Sequence, residues 1–81
     1  MHIQVFGKGC PKCNQLTENV RAALQELDRT DATVEHVTDL DRIVALGPVV
    51  TPVLVVDGKI VSMGKTLSPR AVAELLRAVL S

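Results

Sequence analysis

The 81-residue chain has no tryptophan and no tyrosine, and Phe6 is its only aromatic residue. One aromatic makes no platform on which successive bases could stack, so a single-strand nucleic-acid binder is not expected. Neither sign of charge is in excess, because nine Lys and Arg balance nine Asp and Glu. That balance leaves no basic stripe for a phosphate backbone. No apolar run approaches the ~18 residues that span a bilayer, so no membrane partner is expected. No charged-then-apolar leader precedes the first strand-like residues, and two cysteines are too few to staple a secreted scaffold. A cytoplasmic, reducing compartment is the expectation. Repeats, low-complexity tracts and linkers are also missing. Residues 1–81 therefore read as one domain and a monomer, of a length at which a lone core is marginal.

What the chain does have is aliphatic, within a hydrophobic fraction of 47%. His2-Ile3-Gln4-Val5-Phe6 reads as a buried strand, and Gly7-Lys8-Gly9 as a turn. Pro11 suits a first helical position, where a missing N–H costs nothing. Cys13, Leu16, Val20, Ala23, Leu24 and Leu27 then recur at three- and four-residue steps, one stripe of a helix. Ala32 to Val37 is a short strand with Val34 and Val37 as its apolar positions. Thr38-Asp39-Leu40-Asp41 resembles a capping box and opens a helix through Leu46, which Gly47-Pro48 stops. Val53-Leu54-Val55-Val56 is a central strand. Asp57-Gly58 is a two-residue hairpin turn, and Lys59 to Met63 its return strand. Ser68-Pro69 caps a last helix whose stripe is Val72, Leu75, Leu76, Val79 and Leu80. The predicted order is βαβαββα: an α/β fold with a four-stranded mixed sheet and helices on both faces.

The chemistry of this chain concentrates in Cys10-Pro11-Lys12-Cys13, which holds both cysteines. Three residues of helix rise ~4.5 Å and turn ~300°, which sets the Cα atoms about 5 Å apart. A disulfide needs roughly 4.4–6.8 Å, so the bridge can form and break without large backbone movement. Cys10 precedes the first helical turn and faces its unpaired N–H groups and positive dipole end. Both favour the thiolate, which is the attacking species. Lys8 and Lys12 add positive potential, while Pro11 withholds one N–H. Cys13 falls on the apolar stripe and is expected to be buried and to keep its proton. Cys10 is thus the expected nucleophile and Cys13 the resolving thiol. The same spacing also suits half of a metal site, so a metallochaperone stays open at this point, as does a redox-responsive binding protein.

Cys10-Pro11-Lys12-Cys13 after the first strand, Thr51-Pro52 before the third and Asp57-Gly58 in the hairpin together resemble the thioredoxin/glutaredoxin superfamily. The likeness is greatest to the small thioredoxin-like proteins called redox-active disulfide protein two, and it covers nearly the whole chain. The resemblance implies a thioredoxin-like fold and a thiol–disulfide oxidoreductase passing electrons from a reductase to protein disulfides. It implies no cofactor beyond the Cys10–Cys13 disulfide. It implies a cis bond before Pro52, with Pro52 beside the disulfide and the backbone of Thr51 pairing with substrate. Gly9 stands where thioredoxins carry a Trp, and Val49 and Val50 precede Thr51. Val50, Thr51, Pro52 and Gly9 are accordingly the expected substrate-contacting set, although Val49 and Val50 suit core packing equally well. Two departures are visible. Gln4 replaces the Asp that thioredoxins bury in the first strand. Ser62-Met63-Gly64-Lys65-Thr66 lacks the Gly pair and acid with which glutaredoxins hold glutathione. His2, His36, Met63 and Asp57 read as structural residues.

Overall fold

Two strands hold the centre of the sheet, β1 (His2–Phe6) and β3 (Val53–Val56), the second of them apolar and buried on both faces. β2 (Thr33–Val37) and β4 (Lys59–Met63) flank them in the order β2-β1-β3-β4. With α1 (Pro11–Glu26), α2 (Leu40–Val44) and α3 (Pro69–Leu80), the chain order is the βαβαββα that the sequence predicts. The structure is a computed structural model. It describes all residues but Cys10, Thr30 and Ser81, with Leu80 by its backbone alone.

β1 pairs with β2 in parallel, from His2↔Thr33 to Phe6↔Val37. It pairs with β3 antiparallel, from Ile3↔Val56 to Phe6↔Val53. Alternation along these strands separates two cores. Ile3, Val5, Leu54 and Val56 face α1 and α3, packing with Leu16, Val20, Leu24, Val72 and Leu76. Phe6, Val37, Val53 and Val55 face α2 and meet Ile43. The apolar positions of β2, Val34 and Val37, are an odd step apart and so serve opposite cores.

The β3–β4 hairpin turns on Asp57 and Gly58, both at positive φ (50° and 83°), as the tight primed turn requires. Asp57 also ties the hairpin to β1: its N–H donates to His2 O at 2.8 Å, and its Oδ1 accepts from His2 N at 2.8 Å. The register slips between Leu54 and Val55, leaving Val61 as the extra residue of β4. Ser68 caps α3, its Oγ accepting from Ala71 N at 3.1 Å.

Three local expectations need correction. The N-cap of α2 is Asp39 rather than Thr38. Its side chain accepts from Asp41 N at 3.0 Å, and the helix closes at Val44 rather than Leu46. A carboxylate is a stronger acceptor than a hydroxyl and lies one residue nearer the helix. In α3 the buried residues are Val72, Ala73 and Leu76, while Leu75 is half-buried, Val79 is exposed and the Leu80 side chain lies outside the described residues. α1 buries Thr17 as well as the predicted Cys13, Leu16, Val20, Ala23 and Leu24, but it ends at Glu26 and leaves Leu27 half-buried beyond it.

Candidate functional site

Register puts segments from all four strands at one end of the sheet, where Val37 ends β2 beside Phe6. Phe6 pairs with Val53, and Val53 with Met63. The residues just past Phe6, just before Val53 and just past Met63 therefore lie side by side. Gly7 N donates to Val37 O at 3.0 Å, extending the parallel ladder by one step before the chain turns into α1. Pro52 is fully buried and follows a cis peptide from Thr51. Its carbonyl accepts from Gly64 N at 2.9 Å, which ties the segment before β3 to the one after β4.

Cys13 is fully buried on the inner side of the first turn of α1. The buried Thr17 hydroxyl donates to Cys13 O at 2.9 Å, one turn on. Gly7 sits directly against this sulfur. A Cβ on Gly7 would overlap Cys13 Sγ and lie 3.1 Å from Cys13 Cβ and 3.8 Å from Thr51 Cβ. The volume a side chain would need at Gly7 is the volume the thiol occupies, where β1, α1 and Thr51 converge. Gly9 differs. Its φ is +73°, and nothing lies within 4 Å of where its Cβ would be. The first glycine is there for space and the second for backbone conformation. The sequence reading of one flexible turn missed that division. A glycine six residues before a stripe cysteine was the available signal.

Among the other predicted residues, Lys8, Pro11, Lys12 and Thr51 are exposed at this end. Val49 and Val50 part company. Val49 packs on the α2 core, while Val50 is 65% exposed and lies against Gly64. Met63 is 40% exposed beside it. Cys10, the predicted nucleophile, lies outside the described residues.

Gln4, at the position of the expected thioredoxin Asp, belongs to the other face. Its Nε2 donates to Glu35 Oε1 at 3.1 Å, and Arg42 Nη1 donates to Glu35 Oε2 at 3.0 Å. These two bonds, Arg42's first, lower the Glu35 pKa below the usual carboxylate range. The same pairing raises that of Arg42. Neither His approaches the site by its pairing. His2 Nε2 lies 3.4 Å from Glu35, and His36, opposite Val5, has a buried Nε2 without a hydrogen bond. A cavity of about 540 Å³ between α1 and β2, walled by Arg21, Leu24, Arg29 and Val34, contains none of the predicted site residues. Its volume marks a groove at the far end of α1. Among the described residues, no group of three or more His, Cys, Asp or Glu is placed to hold a metal. No described helix is long and apolar enough to cross a membrane.

Comparison with known proteins agrees with this geometry. A family model described as a thioredoxin domain matches residues 1–77. A protein named thioredoxin from Methanocaldococcus jannaschii is 45% identical over 78 residues, spanning 96% of this chain and 88% of the relative. Another of that name, from Methanothermobacter thermautotrophicus, is 37% identical over 76 residues, spanning 94% of this chain and 97% of its own.

Proposed function

The chain belongs to the thioredoxin domain family and is a thiol–disulfide oxidoreductase, and we propose that it works by cycling Cys10 and Cys13 between dithiol and disulfide. The observation that carries this reading is the seat of Cys13. Its thiol is buried against Gly7 at the start of α1 and near Thr51, three residues along the chain from the proposed nucleophile. In this reading the Cys10 thiolate attacks one sulfur of a substrate disulfide. A mixed disulfide forms, and the other substrate sulfur leaves and takes a proton. Cys13 gives up its proton and attacks Cys10 Sγ, and the second substrate thiol departs. Two electrons and two protons have then passed to the substrate. A reductase dithiol returns the same number and restores the pair, so no further cofactor is needed.

The remaining roles follow. Pro52 and the backbone of Thr51, with Val50 and Gly9, line the approach of the substrate strand. Lys8 and Lys12 lend positive potential to the Cys10 thiolate, and Pro11 limits it by withholding an N–H. A donor of this kind works in the cytoplasm, where the dithiol form is maintained. The couple is expected between about −200 and −280 mV, by glutathione equilibration with quenched alkylation. The metallochaperone reading has no support of its own. The small heavy-metal domains run βαββαβ, whereas the order here is βαβαββα.

Insulin disulfide reduction with a supplied reductant tests the proposal. Wild type accelerates it, Cys10→Ser abolishes the acceleration, and Cys13→Ser retains substrate as a mixed disulfide on Cys10. Equal activity of wild type and Cys10→Ser would sink it.

A further inference from the structure

Residues 64–68, between β4 and α3, form neither helix nor strand. Lys65 and Thr66 are exposed, and the segment is held on either side of them. On the first side, Gly64 N donates to Pro52 O at 2.9 Å. A Cβ on Gly64 would lie 3.1 Å from Val50 Cγ1 and 3.3 Å from Val50 Cβ, so the bare backbone fits where a side chain would press on Val50. Gly64 thus meets both residues that flank Thr51. On the second side, Asn19 Nδ2 donates to Leu67 O at 2.8 Å in a half-buried setting. Asn19 stands on α1, the helix that carries Cys13. Gln15, one turn earlier, donates from Nε2 to Asn19 Oδ1 at 2.9 Å, which leaves the Asn19 N–H groups to face Leu67. The Leu67 side chain packs on the core beneath α1 and α3.

We propose that residues 64–67 are a strap that sets Val50, Thr51 and Pro52 against α1, and that Asn19 is the positioning residue that anchors it. The proposal rests on the redox reading above and adds what places its docking segment. The cysteine pair belongs to α1, whereas the docking segment belongs to the entry of β3. A substrate strand paired with Thr51 presents its disulfide correctly only if these two elements keep their spacing. A misplacement of about 1 Å can cost up to about 100-fold in rate. Val50 is 65% exposed, so contact with Gly64 matters to where it stands. Asn19 acts on the substrate through Leu67, Gly64 and Pro52, and it takes no part in the attack by Cys10. Its loss should therefore weaken docking, and a small disulfide that meets Cys10 alone should not register it.

The test compares the reduced full chain with Asn19→Ala, Asn19→Asp and Val34→Ala on two substrates. One is a synthetic peptide closed by a disulfide, the other hydroxyethyl disulfide, and product thiols are counted by alkylation after acid quench. Asn19→Ala should raise KM for the peptide about threefold with kcat unchanged, the scale of one lost hydrogen bond. Its rate on hydroxyethyl disulfide should match wild type. Asn19→Asp keeps the shape and the bond from Gln15 but has no N–H to give Leu67 O, so it should lose as much as Asn19→Ala. Val34→Ala removes packing from β2, the sheet edge opposite β4, and lowers stability without reaching the strap. It should leave both substrates as in wild type. Amide exchange of Gly64, followed by NMR, reads the strap with no redox step. It should run about threefold faster in both Asn19 variants and be unchanged in Val34→Ala. A wild-type peptide KM in either Asn19 variant, an equal loss on hydroxyethyl disulfide, an equal rise in Val34→Ala, or Gly64 exchange indifferent to Asn19 would each overturn the proposal. If wild type reduced neither substrate, the redox reading would fail and the docking role with it, while Gly64 exchange would still decide whether the strap moves as one unit.

Discussion

The two faces of the sheet are built differently. Under α1 and α3, eleven buried residues form one aliphatic core among the described residues. Under α2 there are five, including the only aromatic side chain. A five-residue helix cannot bury enough apolar area to hold itself down, and polar contacts supplement it. Arg42 reaches from α2 to Glu35 at 3.0 Å and also lies over the Phe6 ring, 5.9 Å from its centroid. The thick face supplies stability and seats Cys13. The thin face leads through Gly47 into Val50, Thr51 and Pro52, the segment expected to meet substrate. Stability and substrate contact thus draw on different faces, and each can be perturbed with limited damage to the other.

Truncation on the thick face should have the largest effect. Leu16 is fully buried. Leu16→Ala should cost about 3–5 kcal/mol in urea unfolding followed by circular dichroism. Against a total of roughly 4–12 kcal/mol for a chain of this size, that is a large share. Ile43, 7% exposed under α2, should cost about 2 kcal/mol on truncation to Ala, because the thin face can collapse around the gap. The comparison sharpens if Ile43→Ala, still folded, loses more insulin-reducing activity than its stability explains. It breaks if the two variants lose stability equally.

The next prediction uses the two glycines around Lys8. Gly7→Ala places a methyl where Cys13 Sγ sits, and overpacking of this kind costs about 1–3 kcal/mol. The thiol must leave its rotamer or the first turn of α1 must shift. The Cys10 attack should then be nearly unchanged while release of the mixed disulfide slows by about tenfold. Gly9→Ala meets open space and incurs only its left-handed backbone, about 1 kcal/mol. A double-mutant cycle separates the causes: the Gly7→Ala penalty should shrink in a Cys13→Ala background, and the Gly9→Ala penalty should not. A Gly7→Ala cost independent of Cys13 would show that space for the sulfur is not what the glycine provides.

These cases show why part of the molecule was legible in sequence and part was not. The C-x-x-C at a strand–helix junction, Thr51-Pro52, Asp57-Gly58 and Ser68-Pro69 are local signals, each set by backbone geometry within a few residues. Together they gave element order, sheet composition and the end of the sheet where the candidate site is placed. Gly7 and Gly9 look alike in sequence because one of them answers to a residue on another element. Val49 and Val50 were indistinguishable for the same reason. Alternation says that one is inward, and only the α2 core says which. Thr17 broke the apolar stripe in sequence, yet its hydroxyl is satisfied by Cys13 O, which makes burial inexpensive. The Glu35–Arg42 clamp joins residues seven apart across a strand and a helix, and no periodicity marks it.

The smallest expected effect belongs to that clamp and is best seen through pH. Glu35 is 41% exposed and Arg42 47%, so solvent screens the pair and its contribution is modest. Its direction is nevertheless fixed. Arg42 and then Gln4 hold the folded carboxyl below its ordinary value of 4.5. A depressed folded pKa contributes stability that is fully present above the unfolded pKa. That contribution declines as pH drops below the ordinary value and is gone once pH passes the lowered folded one. Glu35→Gln keeps the shape and an acceptor oxygen but removes the charge. The gap in urea midpoint between wild type and Glu35→Gln should therefore be open at pH 7, narrow below pH 4.5 and close in stronger acid. High salt should narrow it at pH 7. The thick face has no counterpart to this substitution among the described residues, because its core cluster is made of aliphatic side chains alone. A gap that stayed constant from neutral pH into acid would mean that α2 is held by packing alone, and the two faces would differ in size but not in kind.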